Sequence, residues 1–151
     1  MPDMRLQLAL NVSNMDAAID YYSRLFGTRP HKRRPGYANF AIDDPALKLV
    51  LFEVPDAKEH LNHIGVEVLD PDQMPTVRAR LSDAGVLTRV VDQSTCCHAT
   101  QDKLWSDGPD GLNWEWYTIT DDAPKARPND ATCCASNAEP DRQTPGDVCC
   151  T

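Results

Sequence analysis

Hydrophobic and polar residues alternate with period two near the start of the chain, and apolar residues then recur at helical spacing. In Leu6–Val12 every second residue is leucine or valine, which is typical of a strand with one buried face. Four apolar residues follow at helical spacing: Met15, Ile19, Tyr22 and Phe26. Because Ser13 or Asn14 can cap this helix and Gly27 can end it, the pattern predicts a strand followed by a helix.

The same order of elements recurs in the second half of the chain. Three short strands around 30–34, 37–42 and 47–54 complete the first unit. A second unit opens with a strand at 62–69. Asp70 and Pro71 then mark the start of a helix, and Gly85 marks its end. The apolar stripe of this second helix is formed by Met74, Val77, Leu81 and Ala84. Strands near 87–93, 102–106 and 113–120 complete the second unit.

Neither unit can bury its apolar face alone, so the two are expected to pack together. The sequence therefore predicts an α+β fold of two tandem βαβββ modules, about 4–54 and 61–120, that form one curved mixed sheet. The sheet is expected to form a cup with the helices on its outside. Residues 1–120 are therefore expected to form one domain. Residues 121–151 contain Val148 as their only large aliphatic residue and are expected to form a disordered tail that carries four cysteines.

Charge and hydrophobicity restrict the classes of partner. The 151-residue chain has a formal net charge of −8 and a pI near 4.8, which argues against nucleic acid and anionic membranes as partners. It shows neither a signal peptide nor a run of about 20 apolar residues, so a cytoplasmic location is expected. The pattern is equally compatible with a monomer and with a homodimer in which the modules exchange between chains.

Three polar residues are expected on the inner face of the cup. Alternation places Gln7, His63 and Glu115 opposite the apolar faces of their strands. One imidazole nitrogen and two oxygens suit a divalent ion such as Fe(II), Mn(II) or Ni(II) and leave coordination positions open. His63 and Gln7 also have ordinary structural explanations, since a strand histidine is commonly a hydrogen-bonded structural residue and an inward amide can bond a neighbour. Glu115 lies between two tryptophans, and a carboxylate on an inward strand needs a partner. Three more residues on the same faces are candidates for contacts with the ligands or the substrate, with ordinary polar lining as the alternative: Asn11, Asn113 and Tyr117.

The adjacent thiols of Cys96 and Cys97 form the most specific motif in the chain. Neighbouring cysteines do not easily close an unstrained disulfide, but both can bind one thiophilic ion. The six cysteines form three such doublets, the others being Cys133–Cys134 and Cys149–Cys150. Polar residues on both sides of Cys96 and Cys97 predict an accessible loop, and the alternative is two small buried hydrophobic residues.

Four segments carry a resemblance to a known family. Over about residues 4–120 the chain resembles the vicinal oxygen chelate superfamily, which includes glyoxalases, bleomycin-resistance proteins and extradiol dioxygenases. Its carbon–arsenic lyase branch, which includes proteins described as cadmium-induced, is similar in Val12–Phe26, Pro35–Ile42, Leu61–Val68 and Thr95–Lys103. The block around Cys96 and Cys97 is the specific mark of that branch, whereas the modules alone indicate only the superfamily.

The resemblance implies a non-haem Fe(II) enzyme that uses O2 to cleave the C–As bond of trivalent organoarsenicals. Methylarsenite would yield inorganic arsenite, and trivalent aromatic arsenicals would be a second class of substrate. Mn, Ni or Co would be able to replace iron in the protein as isolated. The resemblance assigns metal binding to Gln7, His63 and Glu115, arsenic binding to Cys96 and Cys97, and catalytic roles to both thiols and Glu115. Gln7 departs from the histidine that many superfamily members have at this position.

Two other functions are compatible with the same residues. Another dioxygenase or a thiol-conjugating resistance enzyme would use the metal site without needing both cysteines. A non-catalytic protein that sequesters Cd(II) or As(III) would use the thiol doublets and would not need Glu115. The role of the four tail cysteines, the organic group preferred on arsenic and the fate of the carbon fragment do not follow from the sequence.

Overall fold

The computed structural model describes residues 3–96 and 99–122. The first module contains β1 (Met4–Val12), α1 (Met15–Phe26), β2 (Lys32–Arg34), β3 (Tyr37–Ile42) and β4 (Leu47–Glu53). The second contains β5 (Leu61–Val68), a 3-10 turn (Pro71–Gln73), α2 (Met74–Asp83), β6 (Arg89–Cys96), β7 (Ala99–Asp107) and β8 (Asn113–Asp121). The predicted repeat of strand, helix and three strands is therefore confirmed.

One mixed sheet joins the two modules within the described part of the chain. Its eight strands lie in the order β2-β3-β4-β1-β5-β8-β7-β6. The first strands of the two modules, β1 and β5, pair antiparallel at the centre, and each pairs in parallel with the last strand of its own module. The predicted α+β fold with a mixed sheet is confirmed, and its pseudo-symmetric centre brings β1, β5 and β8 side by side.

The helices cover one face of the sheet through two apolar clusters. Under α1, a cluster built around Met15 includes Phe40, Leu49 and Leu51, with the β1 leucines packed against it. Under α2, Val77 and Leu81 pack with Val68, Leu104 and Trp116. Because side chains alternate along each strand, the residues between these apolar positions face the opposite, concave side.

The ends of α1 follow the predicted signals. Asn14, one of the two predicted caps, accepts a hydrogen bond at 3.0 Å from the backbone N–H of Ala17. The carboxylate of Glu53 accepts the Met15 N–H at 2.7 Å and ties the helix start to the end of β4. Gly27 ends the helix with φ of 62°, a left-handed conformation that a side chain would disfavour.

Contacts between β2 and the end of β8 show how far the sheet curves. These strands are not neighbours in the sheet order, yet the ammonium of Lys32 lies 2.8 Å from Oδ1 of Asp122. His31 contacts the same carboxylate at 3.2 Å. Such approach across the sheet requires a concave surface, which agrees with the predicted cup.

Strand limits around the first cysteine doublet differ from the prediction. The doublet was predicted to lie in a loop between strands at 87–93 and 102–106. Residues 94–96 instead pair with 99–101 as antiparallel strands, so the prediction of a loop over these residues was wrong. The polar composition of this segment does not prevent backbone pairing. The register of β6 with β7 shifts between Val91 and Ser94, which indicates a bulge, and Gln93 there has φ of 51°. Cys97 and His98 lie outside the described residues. The predicted tail began at residue 121, but Asp121 belongs to β8 and Asp122 contacts Lys32; the rest of that tail, from residue 123, lies outside the described residues. No helix in 3–96 or 99–122 has the length and hydrophobicity needed to span a bilayer.

Candidate metal centre

Strand register brings the three predicted ligands together. Gln7 on β1 pairs with Gly65 on β5, and Gly65 pairs with Glu115 on β8, so the three positions form a row across the sheet. His63 lies two residues before Gly65 and therefore points to the same face. Gln7, His63 and Glu115 are all buried on this concave face, as the alternation predicted.

Gly65 makes the row possible because it has no side chain. A β-carbon at this position would lie 2.5 Å from the Glu115 carbonyl oxygen and 2.7 Å from Oε1 of Gln7. Both distances are shorter than any ordinary contact of a β-carbon. The glycine therefore lets the side chains of Gln7 and Glu115 occupy the space above the central strand.

Glu115 is held as a carboxylate by two neighbours. Nε2 of His63 lies 3.0 Å from Oε2, and the ammonium of Lys103 lies 2.8 Å from Oε1. Complete burial alone would raise the pKa of Glu115, but the charge of Lys103 and the contact with His63 outweigh burial and lower it to about 2. The Glu115 side chain is therefore negatively charged at neutral pH.

Gln7 has an acceptor that the described residues leave unsatisfied. Its side chain is 7% exposed, and Oε1 has no hydrogen-bond partner in residues 3–96 and 99–122. A buried carbonyl oxygen without a partner is costly and calls for a bound water or ion. This oxygen lines the same cavity as His63 and Glu115.

The cavity measures about 30 Å³, which is enough for a water molecule or a metal ion. It is enclosed by side chains from seven strands and from the residue that follows β8. The lining residues that bear on its chemistry are Gln7, Lys48, His63, Gln101, Lys103 and Glu115. Two aromatic rings limit access beside the imidazole: Phe52 and Trp105 lie 6.4 and 5.7 Å from the His63 ring.

The donor set fits a divalent transition metal. His63 Nε2 and Glu115 Oε2 are 3.0 Å apart, which is a hydrogen-bond distance. Two atoms bound about 2.1 Å from one ion, at right angles, would also lie about 3.0 Å apart. Among the described residues no cluster of three His, Cys, Asp or Glu side chains occurs. The third candidate donor is the amide oxygen of Gln7, and one nitrogen with two oxygens would form a mixed set that leaves coordination positions open.

Several residues of the site were not predicted. Lys48 and Lys103 are buried on the concave face, where lysine is rarely found. Lys48 pairs in register with Gln7, and burial lowers its pKa. Gln101 and Lys103 share a face of β7 with Trp105. The predicted strand began at 102 and left out Gln101, and it gave Lys103 no role in the site.

The polar residues that support the three ligands were predicted in part. Asn11, proposed from its position on β1, is 7% exposed and hydrogen-bonds Asn62 at 2.9 Å. Tyr117, also proposed, is buried and lines the cavity. Asn62 was missed, because alternation assigns it to the opposite face from His63.

The thiols can be located only through their neighbours. The backbone of Cys96 ends β6 and pairs with Ala99, which begins β7. Ala99 is buried and lines the cavity that holds His63 and Glu115. Cys97 and His98 connect these positions and lie outside the described residues, as do the doublets at 133–134 and 149–150.

Comparisons with known proteins place these observations in a family. Residues 6–116 match the model of the glyoxalase/bleomycin resistance protein/dioxygenase superfamily. The cadmium-induced protein CadI of Mycobacterium tuberculosis is 55% identical over 79% of this chain and 78% of its own. A trivalent organoarsenical cleaving enzyme of Thermomonospora curvata is 48% identical over 86% of this chain and 87% of its own.

A solved structure shows the same fold at low sequence identity. The Mn(II)-bound glyoxalase of Novosphingobium aromaticivorans superposes with a TM-score of 0.56 and 18% identity. The superposition covers 83% of this chain and 42% of that protein. At this identity the likeness concerns the fold.

Proposed function

The chain belongs to the glyoxalase/bleomycin resistance protein/dioxygenase superfamily, and on that premise we propose that it cleaves the carbon–arsenic bond of trivalent organoarsenicals with Fe(II) and O2. One observation carries the proposal. Ala99, which directly follows the segment of Cys97 and His98, lines the same cavity as His63 and Glu115. A soft dithiol site would then border a nitrogen- and oxygen-donor metal site. The name of the T. curvata relative supports the same activity.

The substrate chemistry matches two neighbouring thiols. A trivalent arsenical R–As(OH)2 has two exchangeable hydroxyl groups, so two S–H groups form two As–S bonds and release two waters. Cys96 and Cys97 supply that number of thiols. Inorganic arsenite has three exchangeable positions and is held less completely by two thiols, which favours product release.

The side chains around the cavity have distinct roles in this proposal. Gln7, His63 and Glu115 would hold the metal, and Lys103 keeps the Glu115 carboxylate ionised. A divalent metal, with Fe(II) as the active form and Mn, Ni or Co as replacements, would supply open coordination positions and redox chemistry. The rings of Phe52 and Trp105 restrict water beside the imidazole.

The direct test is anaerobic loading of the purified protein with Fe(II), followed by air, methylarsenite and a thiol reductant. Arsenic speciation over time should show stoichiometric release of arsenite only when both iron and oxygen are present. Cys96→Ser and Cys97→Ser should each abolish release. If both serine variants retain it, the dithiol is not the arsenic-binding site. If the wild-type protein releases no arsenite, the carbon–arsenic lyase proposal is refuted.

Sequestration of Cd(II) or As(III) is the second candidate function. The name of the M. tuberculosis relative says that cadmium, a thiophilic ion, induces that protein. A thiol-only protein would bind the arsenical tightly without converting it. Glu115→Gln separates the two functions, because it should stop arsenite release by a lyase but leave thiol-dependent binding unchanged. Methylarsenite that is bound and recovered intact from the wild-type protein with Fe(II) and O2 would support sequestration.

A further inference from the structure

Three hydrogen bonds connect the His63 imidazole to a backbone carbonyl of the neighbouring segment. Nδ1 of His63 lies 2.8 Å from Oδ1 of Asn62. Nδ2 of Asn62 donates to Oδ1 of Asn11 at 2.9 Å, and Nδ2 of Asn11 donates to the carbonyl oxygen of Glu59 at 3.1 Å. The relay therefore runs from Glu59 through two carboxamides to the ring.

The direction of the relay follows from its first acceptor. A backbone carbonyl can only accept, so Asn11 must turn its NH2 group toward Glu59 and its oxygen toward Asn62. Asn62 must then donate to Asn11 and present its own oxygen to His63. Because that oxygen accepts, Nδ1 of His63 must carry a hydrogen, and in the neutral ring Nε2 has a free lone pair.

A bulge in the central strand pair places Asn62 where it can act. Ala9 pairs with His63 and Leu10 pairs with Leu61, so Asn62 is an extra residue on β5. The backbone N–H of Asn11 donates to the carbonyl of His60 at 2.7 Å. This bond holds β1 against the residue that directly precedes β5. Without the bulge, Asn62 would lie on the face opposite His63.

The other ring nitrogen, Nε2, lies at the candidate metal position. It contacts Oε2 of Glu115 at 3.0 Å, and a metal bound by both atoms would take the place of the hydrogen that they share. Residues that bond the outer nitrogen of a metal-binding histidine fix its tautomer and orientation, and their loss typically weakens metal binding about 10- to 100-fold. Asn11 comes from the first module and Asn62 from the second, so the relay also links the two modules.

We propose that Asn62 and Asn11 are positioning residues, which hold His63 as the Nδ1–H tautomer so that Nε2 can bind a divalent metal. The inference rests on the metal site of the proposed function, but not on the arsenic chemistry. Asn62 acts on the ring directly, and Asn11 acts through Asn62. Neither residue touches the metal position or the substrate.

Zinc titration of the metal-free full-length protein tests the relay without any turnover. Asn62→Ala should weaken zinc binding about 10- to 100-fold, and Asn11→Ala should weaken it less. Asn62→Asp should weaken it less than Asn62→Ala, because a carboxylate still accepts from Nδ1–H although it cannot donate to Asn11. Asn14→Ala is the matched control: it removes a helix cap worth about 1 kcal/mol and should leave the zinc affinity unchanged.

Long-range 1H–15N correlation spectra of the zinc-bound wild-type protein give a second measurement, which does not require the Asn62 and Asn11 variants to fold. The His63 ring, identified by comparison with His63→Gln, should show a protonated Nδ1 and a zinc-bound Nε2. Zinc bound through Nδ1, wild-type affinity in Asn62→Ala, or equal losses in Asn62→Ala and Asn62→Asp would overturn the proposal. Failure of wild-type protein to bind zinc would overturn both the relay and the metal site.

The two proposals fail separately. Zinc binding that depends on Asn62, in a protein that releases no arsenite, supports the relay and refutes the lyase. Arsenite release by a protein whose zinc affinity ignores Asn62 refutes the relay and supports the lyase.

Discussion

Replacing Gly65 with alanine should damage the candidate metal site from its centre. The new β-carbon would lie 2.5 Å from the carbonyl oxygen of Glu115, about 0.9 Å closer than the 3.4 Å at which ordinary contact begins. That oxygen belongs to the backbone of β8 and cannot rotate away, so β5 and β8 must move apart. The same β-carbon would lie 2.7 Å from Oε1 of Gln7 and displace this donor as well.

Overpacking of this kind costs about 1–3 kcal/mol of folding free energy. Displacement of two donors should weaken metal binding by at least the 10- to 100-fold typical of lost supporting contacts. Urea denaturation of the metal-free protein measures the first quantity, and titration with Co(II) or Zn(II) measures the second. Both should be compared with wild type at the same pH and ionic strength.

Gly85→Ala is the matched control for this prediction. Gly85 has φ of 71°, and no atom of the described residues lies within 4 Å of the position that a β-carbon would take, so alanine there is strained but meets no neighbour. The strain costs about 1–2 kcal/mol, while the metal affinity should not change. Wild-type metal affinity in Gly65→Ala would refute the assignment of Gln7 and Glu115 as donors.

Three further predictions concern the buried charges of the concave face. Lys103→Met leaves the Glu115 carboxylate without its nearest cation, so urea denaturation at pH 7 should show a loss of about 3–5 kcal/mol; a loss below about 1 kcal/mol would contradict the pairing. Because the folded-state pKa of Glu115 is lowered from 4.5 to about 2, its contribution is complete above pH 4.5 and is lost as the pH falls toward 2. This loss amounts to about 3 kcal/mol in the metal-free protein, and Glu115→Gln should flatten that part of the stability profile. Burial lowers the pKa of Lys48, so its penalty is full at low pH and disappears as the pH rises to 10.5. Lys48→Met should therefore stabilise the protein at pH 7 by about 1 kcal/mol or more, with a gain that shrinks toward pH 10.5; equal stability at pH 7 would show that the ammonium is well solvated.

The convergence of Gln7, His63 and Glu115 could be predicted because it depends on two local patterns. Alternation along a strand assigns each side chain to a face, and the repeat of the module indicates which strands meet at the centre of the sheet. These two patterns suffice to place the three side chains on one concave face. The coordination role of the three residues remains a prediction.

The parts of the site that could not be predicted depend on register and on exceptions to composition. The requirement for a residue without a side chain at position 65 follows only from the pairing of Gly65 with both Gln7 and Glu115. Asn62 reaches His63 through a bulge, and bulges leave no clear signal in period-two patterns. Lys103 looks like a solvent-exposed residue in the sequence, because a buried lysine is recognisable only when its partner Glu115 is known.

The composition of the concave face bears on the choice between catalysis and sequestration. This face buries Lys48, Lys103, Glu115 and the amide oxygen of Gln7, each of which costs desolvation energy that apolar residues would not. The opposite face shows that the same sheet can be packed with leucine, valine and phenylalanine. In a protein that only bound thiophilic ions through its cysteines, these buried polar groups would lower the stability without contributing to binding. Destabilising polar groups concentrated in one cavity are characteristic of functional sites, so the inner face favours an enzyme over a thiol buffer.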